Sequence, residues 1–294
     1  MELNWKIGIV CAMKKIAITS ESALDLPKNL QKEFDIHVVP ITIILGEEEV
    51  PDGETDPQRI YDYVSAAKSL AKTAAVNEFV FGEFFSSLLQ EYDHVIHISL
   101  SSNLSACCAN AIRASQSPEL HGKVTVFDTK LLSAGIALIA MEASRLAKEG
   151  KEVPEIVEDC REKTKSLSIT FFVEQLEYLC KGGRCSRLAL FGANLLKLRP
   201  QILVRDGFLV PGIKFRGPLK KVVNDYLDAL EKDAPAFDDS IAFIAHTVMP
   251  QEILDSAKER LYKRGFHRVE IVSAGGAIAC HCGPHAFGVI YFTK

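Results

Sequence analysis

The chain has 294 residues, of which 48% are hydrophobic and 24% charged, with a net charge of −4. That length suits about two domains, and that balance excludes both a disordered chain and a strongly basic or acidic protein. The longest early apolar run, Ile7–Met13 between Lys6 and Lys14-Lys15, is far short of the roughly 20 residues that span a bilayer.

In chain order, residues 1–14 read as an extension ahead of a strand at Lys15–Thr19. A helix from Pro27 to Phe34 follows, then a strand from Ile36 to Leu45 with Pro40 as an edge or bulge signal, and a loop punctuated by Gly46, Pro51 and Gly53. Asp56-Pro57 caps a helix running to Ser69. Helices at 77–92, 102–114, 132–148 and 154–165 alternate with strands at 94–99 and 123–128. This alternation predicts βαβ units and a parallel sheet, with ligands at the carboxyl ends of its strands.

From Ser168 the pattern changes. Strands are expected at 168–173, 202–205, 208–215, 241–246, 269–273 and 287–292. Helices are expected at 174–179, 192–198, 220–233 and 250–264. Asp206-Gly207 between two apolar runs is a hairpin signal. The fold class expected is α/β in two domains: a parallel-sheet domain over 15–165 and a mixed-sheet domain over 166–294.

Eight cysteines lie scattered through the chain, two of them adjacent, which is the usage of reduced thiols and points to a cytoplasmic location. Residues 181–221 hold ten basic residues against the single Asp206. Such a segment meets something anionic or is paired across the fold.

Three segments carry candidate chemistry. The hydroxyl-rich run Ser99–Ser105 follows a strand and leads into a helix, so it either binds an anion at free backbone N–H groups or merely caps the helix through Ser101 or Ser102. Lys181-Gly182-Gly183-Arg184 either presents an arginine fork to an anion or is a glycine stop followed by a solvated arginine. Cys280-His281-Cys282-Gly283-Pro284-His285 invites zinc, but its spacing lacks a second Cys-x₂₋₄-Cys pair, so no metal is expected and His281 reads as a hydrogen-bonding group at a turn. No Gly-x-Ser-x-Gly elbow, Walker loop or dinucleotide fingerprint is present. Phe79, Phe81, Phe84 and Phe85 read as core or as the wall of a ligand tunnel.

Taken in order, these pieces resemble the DegV family. The resemblance runs through Ile18-Thr19-Ser20-Glu21-Ser22, Asp25-Leu26-Pro27, Val39-Pro40, Asp52-Gly53, Thr73-Ala74, Ser101–Ser105, Phe127-Asp128-Thr129, Lys181–Arg184, Lys197–Pro200, Lys214–Gly217, His246 and His281–Pro284. It implies a non-enzymatic protein that binds a long-chain fatty acid in an apolar tunnel lying mostly in the first domain. The carboxylate would lie at the domain junction against Thr73, Ser101, Ser102, Arg184 and His281. It also implies presentation of the acid to a fatty acid kinase subunit, with Arg216 as a docking residue, and no cofactor. At about 0.8 kcal/mol per buried CH₂, twelve or more carbons supply the affinity, while the carboxylate must be met by hydrogen bonds. Four positions depart from the family pattern: Glu21 for Asp, Ala74 for Ser, Ala106-Cys107-Cys108 for Gly-Thr-Tyr, and His285 for Gly. Two other readings remain: a stand-alone hydrolase or phosphotransferase with His281 as base, and a nucleic-acid binder using residues 181–221.

Overall fold

The computed structural model describes residues 14–53, 56–185, 198–233 and 236–294. The extension read over 1–14 lies outside them apart from Lys14, as do Cys11, Arg187, Phe191, Lys197 and the helix expected from Gly192.

The first half contains β1 (Ile16–Glu21), a single 3₁₀ turn at Ser22–Leu24, α1 (Lys28–Phe34), β2 (Ile36–Val39), β3 (Thr42–Leu45), β4 (Glu48–Pro51) and α2 (Pro57–Ala67). It continues with β5 (Lys72–Ala74), α3 (Glu78–Leu88), β6 (His94–Ser99), α4 (Cys107–Ser115), β7 (Val124–Asp128), α5 (Ala134–Lys148) and α6 (Val153–Lys165). Strands β2-β1-β6-β7 make a wholly parallel sheet. The run from Ile36 to Leu45 is two strands, not one. Proline supplies no N–H for a ladder, and at Pro40 the chain leaves the parallel sheet. It then enters a small antiparallel sheet, β4-β3-β5, in which β4 stands where a loop was expected and β5 where no element was assigned.

The second half contains β8 (Leu167–Phe172), α7 (Glu177–Lys181), β9 (Leu198–Arg205), β10 (Phe208–Arg216), α8 (Leu219–Asp233), β11 (Phe237–His246), α9 (Gln251–Arg264), β12 (Val269–Ser273), α10 (Gly276–Cys282) and β13 (Phe287–Thr293). Its six-stranded sheet runs β10-β9-β8-β13-β11-β12, with β11 and β12 parallel and the other pairs antiparallel. The fold is therefore the mixed α/β architecture that the sequence predicts. Asp206 and Gly207 both take left-handed φ, 51° and 80°, as a tight two-residue hairpin requires.

Helix α5 joins the halves. Eleven of its fifteen residues are buried, including all of Ala134–Met141, so most of its surface needs cover; its exposed residues, Arg145 and Lys148, lie towards its C-terminal end. It packs on β1 and β6 of the parallel sheet and on β13 of the six-stranded sheet. One hydrophobic cluster accordingly runs from Ala17 through to Phe292. A second, built on Phe172, Phe215, Tyr226 and Phe287, fills the space under α8 and α9. Phe81 and Phe85 are fully buried and stack 5.5 Å apart against His97, whereas Phe79 is 75% exposed. No helix among the described residues is long and apolar enough to cross a membrane.

Candidate functional site

The site begins with α10, a helix where the sequence reading had only a turn. Seven residues opening on glycine give too little periodicity to detect. Two buried carboxylates fix its start: Gly275 N–H donates to Asp25 at 2.8 Å and Gly276 N–H to Asp52 at 2.7 Å. Burial pushes the Asp25 carboxyl up to about 8, against the hydrogen bonds it accepts from Ser133 and Gly275, and the charge of Asp52 adds to the rise. The far end of α10 carries His281.

His281 Nε2 shares a 3.0 Å hydrogen bond with Thr73 Oγ1 on β5. This bond spans the two halves of the chain. Burial, followed by the nearby charge of Arg184, pulls the imidazole down to about 4, so it is neutral at pH 7. Its Nδ1 has no hydrogen-bond partner. That nitrogen faces the backbone of Gly182, where a Cβ would stand 2.5 Å away, so glycine is required there.

Arg184 follows the end of α7. Its Nε donates to the Leu104 carbonyl at 3.0 Å and its Nη1 to the Gly182 carbonyl at 2.5 Å. No carboxylate among the described residues pairs with it. A half-buried guanidinium held only by carbonyls retains its full charge and needs an anion.

Thr73, Arg184 and His281 line two spaces at once. On one side is a cavity of about 180 Å³ walled by Ile41, Leu100, Leu132, Phe171, Leu209 and Ile278, among others. Its walls come from both halves of the chain, not mainly from the first. A further small cavity, about 30 Å³, shares Leu132, Phe171, Ile278 and Cys282 with it. On the other side is an open cleft of about 620 Å³ bordered by Lys68, Lys72, Gln175, Glu177 and Lys181. Three polar side chains thus form the threshold between an apolar chamber and solvent.

Ser101 and Ser102 are placed elsewhere. Ser101 is fully buried and donates to the Gly207 carbonyl at 2.9 Å. Ser102 is exposed and accepts from Lys130 Nζ at 2.7 Å. Helix α4 starts at Cys107, later than expected, because residues 101–106 are occupied in this turn, where Leu104 and Ser105 donate to the Ser101 carbonyl. Ser105, the last hydroxyl of the same run, lines the cavity, as does Ala106. Its position four residues beyond Ser101 was the available signal.

The departures from the family pattern have visible partners. Glu21 is fully buried and accepts from Ser99 at 2.6 Å and Leu100 N–H at 3.0 Å, with His97 at 3.2 Å. His285, in the left-handed region at φ 58°, pairs with Glu174 at 2.6 Å, and Glu174 also holds Arg199. Burial would raise the Glu174 carboxyl, but hydrogen bonds from His285 and Arg199 outweigh it and hold the group below its ordinary value. Ala74 is exposed on β5. Of the basic stretch, Lys181 and Lys221 pair with Glu177 and Asp225, Arg184 and Arg199 turn inward, and Arg216 lies exposed at the end of β10. Cys280, His281 and Cys282 sit on consecutive helix positions, and no group of three or more metal-ligating side chains forms among the described residues.

A family model described as "Uncharacterised protein, DegV family" matches residues 15–294. The chain is 29% identical over 282 residues to a fatty acid-binding protein of Thermotoga maritima, covering 93% of this chain and 96% of that one. The solved structure of a fatty acid-binding DegV family protein from Thermus thermophilus matches with a TM-score of 0.88 at 25% identity, over 95% of this chain and all of the other. DegV of Bacillus subtilis, described as a fatty acid binding protein, matches at 0.82 and 26%, over 96% of this chain and all of that one.

Proposed function

The chain belongs to the DegV family, and from that premise we propose that it binds one long-chain fatty acid, with the acyl chain in the apolar cavity and the carboxylate at Thr73, Arg184 and His281. The observation that carries this is the half-buried Arg184, without a carboxylate partner among the described residues, standing where the apolar cavity meets the open cleft. An acyl chain gains about 0.8 kcal/mol per buried CH₂, and the guanidinium meets the carboxylate with a charge-assisted fork. His281, neutral, and Thr73 supply further hydrogen bonds, with Ser105 close by. Ser101 and Asn103 contribute by holding the tip of the hairpin that brings Leu209 into the cavity wall, while Ser102 stands outside, paired with Lys130.

The acyl chain is longer than the main cavity alone accommodates, so it passes Leu132, Phe171, Ile278 and Cys282 into the adjoining small cavity, displacing those side chains. The carboxylate then faces the cleft, open to a second protein. We include in the proposal its presentation to a fatty acid kinase subunit for acyl-phosphate formation, with Arg216 as a docking residue. Titration with a fluorescent long-chain fatty acid tests the binding. Saturation with wild type, weakened roughly 10–100-fold by Arg184→Ala, is expected from losing one charged hydrogen-bonding partner. Unchanged affinity in that variant removes Arg184 from the site. Arg216→Glu should leave this binding intact while abolishing capture of the kinase; capture that persists excludes the docking role.

A further inference from the structure

Asp25 and Asp52 stand in the motifs shared with the family, yet the fatty-acid site uses neither. Both are buried, at 7% and 5% exposure, and both hold the start of α10, the helix whose far end carries His281. Their oxygens converge. A Cβ on Gly275 would lie 3.2 Å from Asp25 Oδ1 and 3.1 and 3.4 Å from Asp52 Oδ1 and Oδ2. Asp25 accepts from Gly275 N–H and Ser133 Oγ, and Asp52 Oδ1 accepts from Gly276 N–H, but Asp52 Oδ2 is buried with no hydrogen-bond partner.

No cation among the described residues pairs with either carboxylate. Lys28 of α1 and Ser273 of β12 line the cleft of about 450 Å³ through which the pair meets solvent, and Lys28 makes no ion pair there. From α5 comes only the Ser133 hydroxyl. From α10 come the thiols of Cys280 and Cys282, which burial pushes up to about 12 and so keeps neutral. Two carboxylates this close and this buried, with no cation between them, cannot both carry charge.

We propose that Asp25 and Asp52 share one proton at neutral pH and together position His281 through α10, so that losing this proton frees the imidazole from Thr73 and weakens ligand binding. With the proton in place, Asp25 donates to Ser133 Oγ and still accepts from Gly275, while Asp52 holds Gly276. When the proton leaves through the cleft, two negative charges meet at one turn of helix and part. Each carboxylate holds a different N–H, so their parting breaks one of the two bonds. Helix α10 has only seven residues, about 10 Å, and passes the shift to His281, where the ring has no spare room against Gly182. Burial, and then the Asp52 charge, keep the proton on Asp25 up to about pH 8, against an ordinary value of 3.8. The stabilisation it gives is therefore fully present below 3.8 and lost as pH rises to about 8. The effect on ligand rests on the fatty-acid proposal; the shared proton does not.

A fluorescent long-chain fatty acid is titrated into the full-length protein from about pH 6 to about pH 9.5, beside Asp25→Asn. The amide copies the protonated carboxyl, and asparagine suits the left-handed φ of 54° at this position. Wild-type affinity should fall at least about fivefold above pH 8, the lower end of coupling between linked sites. Asp25→Asn should match wild type at pH 7 and hold that affinity to the end of the range. A purely structural anchor gives no pH profile that an isosteric amide flattens, so parallel profiles overturn the proposal. In ligand-free protein, carbon-13 carboxyl resonances should show an aspartate titrating near pH 8 that is missing from Asp25→Asn. Asp52→Asn should move this titration to lower pH by removing the opposing charge. Amide protection over residues 276–281, corrected for intrinsic exchange, should fall across the same range. An Asp25 already ionised at pH 6, a titration unmoved in Asp52→Asn, or constant protection each overturn the proposal. If the protein binds no fatty acid, the functional proposal fails while the carboxyl and exchange readouts still decide the shared proton and its hold on α10.

Discussion

Ser101 donates its hydroxyl to the carbonyl of Gly207, 2.9 Å away, so the hydroxyl loop after β6 grips the tip of the β9–β10 hairpin. Asn103 completes the grip with a 3.0 Å bond to the Asp206 carbonyl. Two sequence signals that read as independent, a serine run and an Asp-Gly turn, are the two halves of one contact between the N-terminal and C-terminal parts of the chain.

This contact predicts a steep penalty at Gly207. A Cβ there would stand 2.6 Å from Ser101 Oγ and 2.8 Å from Asn103, on a backbone at φ 80°. Gly207→Val should cost about 1–3 kcal/mol of stability, and Ser101→Ala about 1 kcal/mol through the carbonyl left without its donor. Denaturant unfolding of both variants measures this; a neutral Gly207→Val would mean that the hairpin does not dock there.

Gly182 should be similarly intolerant, but for function. Its Cβ would meet His281 Nδ1 at 2.5 Å and the Tyr178 carbonyl at 2.9 Å. Gly182→Ala is expected to displace the imidazole from Thr73 and weaken fatty acid binding at least about tenfold, with a circular dichroism spectrum like wild type. Wild-type affinity in that variant would show that the Thr73–His281 pair does not touch ligand.

The pH dependence of His281 has a definite sign. Its ordinary value is 6.5 and the folded value about 4, so the unfolded chain binds the proton first. The stability this neutral histidine contributes is fully present above pH 6.5 and is lost as pH falls from about 6.5 to about 4. The stability difference between wild type and His281→Gln should shrink across that window. A difference that stays flat from pH 7 to 4 contradicts burial of a neutral ring. A bound carboxylate favours the charged imidazole, so fatty acid binding in the same window should take up protons, measurable by calorimetry in buffers of different ionisation enthalpy.

Ile278 stands on α10 between the two cavities. Ile278→Trp should close the passage and shift preference to acids several carbons shorter, read as a reversal in the ranking of decanoate against palmitate. An unchanged ranking would place the acyl chain along another path.

Much of the fold was legible because long periodic segments fix their own structure. The βαβ alternation, the apolar helix α5 and the Asp206-Gly207 hairpin follow from local pattern alone. What was not legible depended on distant partners. Strand β5 has three residues and exists because β3 pairs with it. Helix α10 has seven and is held by Asp25 and Asp52, more than 200 positions away. Thr73, Arg184 and His281 were named from motif resemblance, and the folded chain brings them to one threshold. Ser101 and Ser102 belong to the same motif, but a hydroxyl does not reveal in sequence whether it faces a cavity or a carbonyl 106 residues away.

The most direct test is native mass spectrometry of the gently purified protein, followed by extraction and identification of the bound lipid. The fatty-acid account predicts one fatty acid of roughly 14–18 carbons per chain, the length at which buried methylenes supply nanomolar binding, and its loss in Arg184→Ala. A wild-type protein that flies at its bare mass and takes up no added palmitate would contradict it.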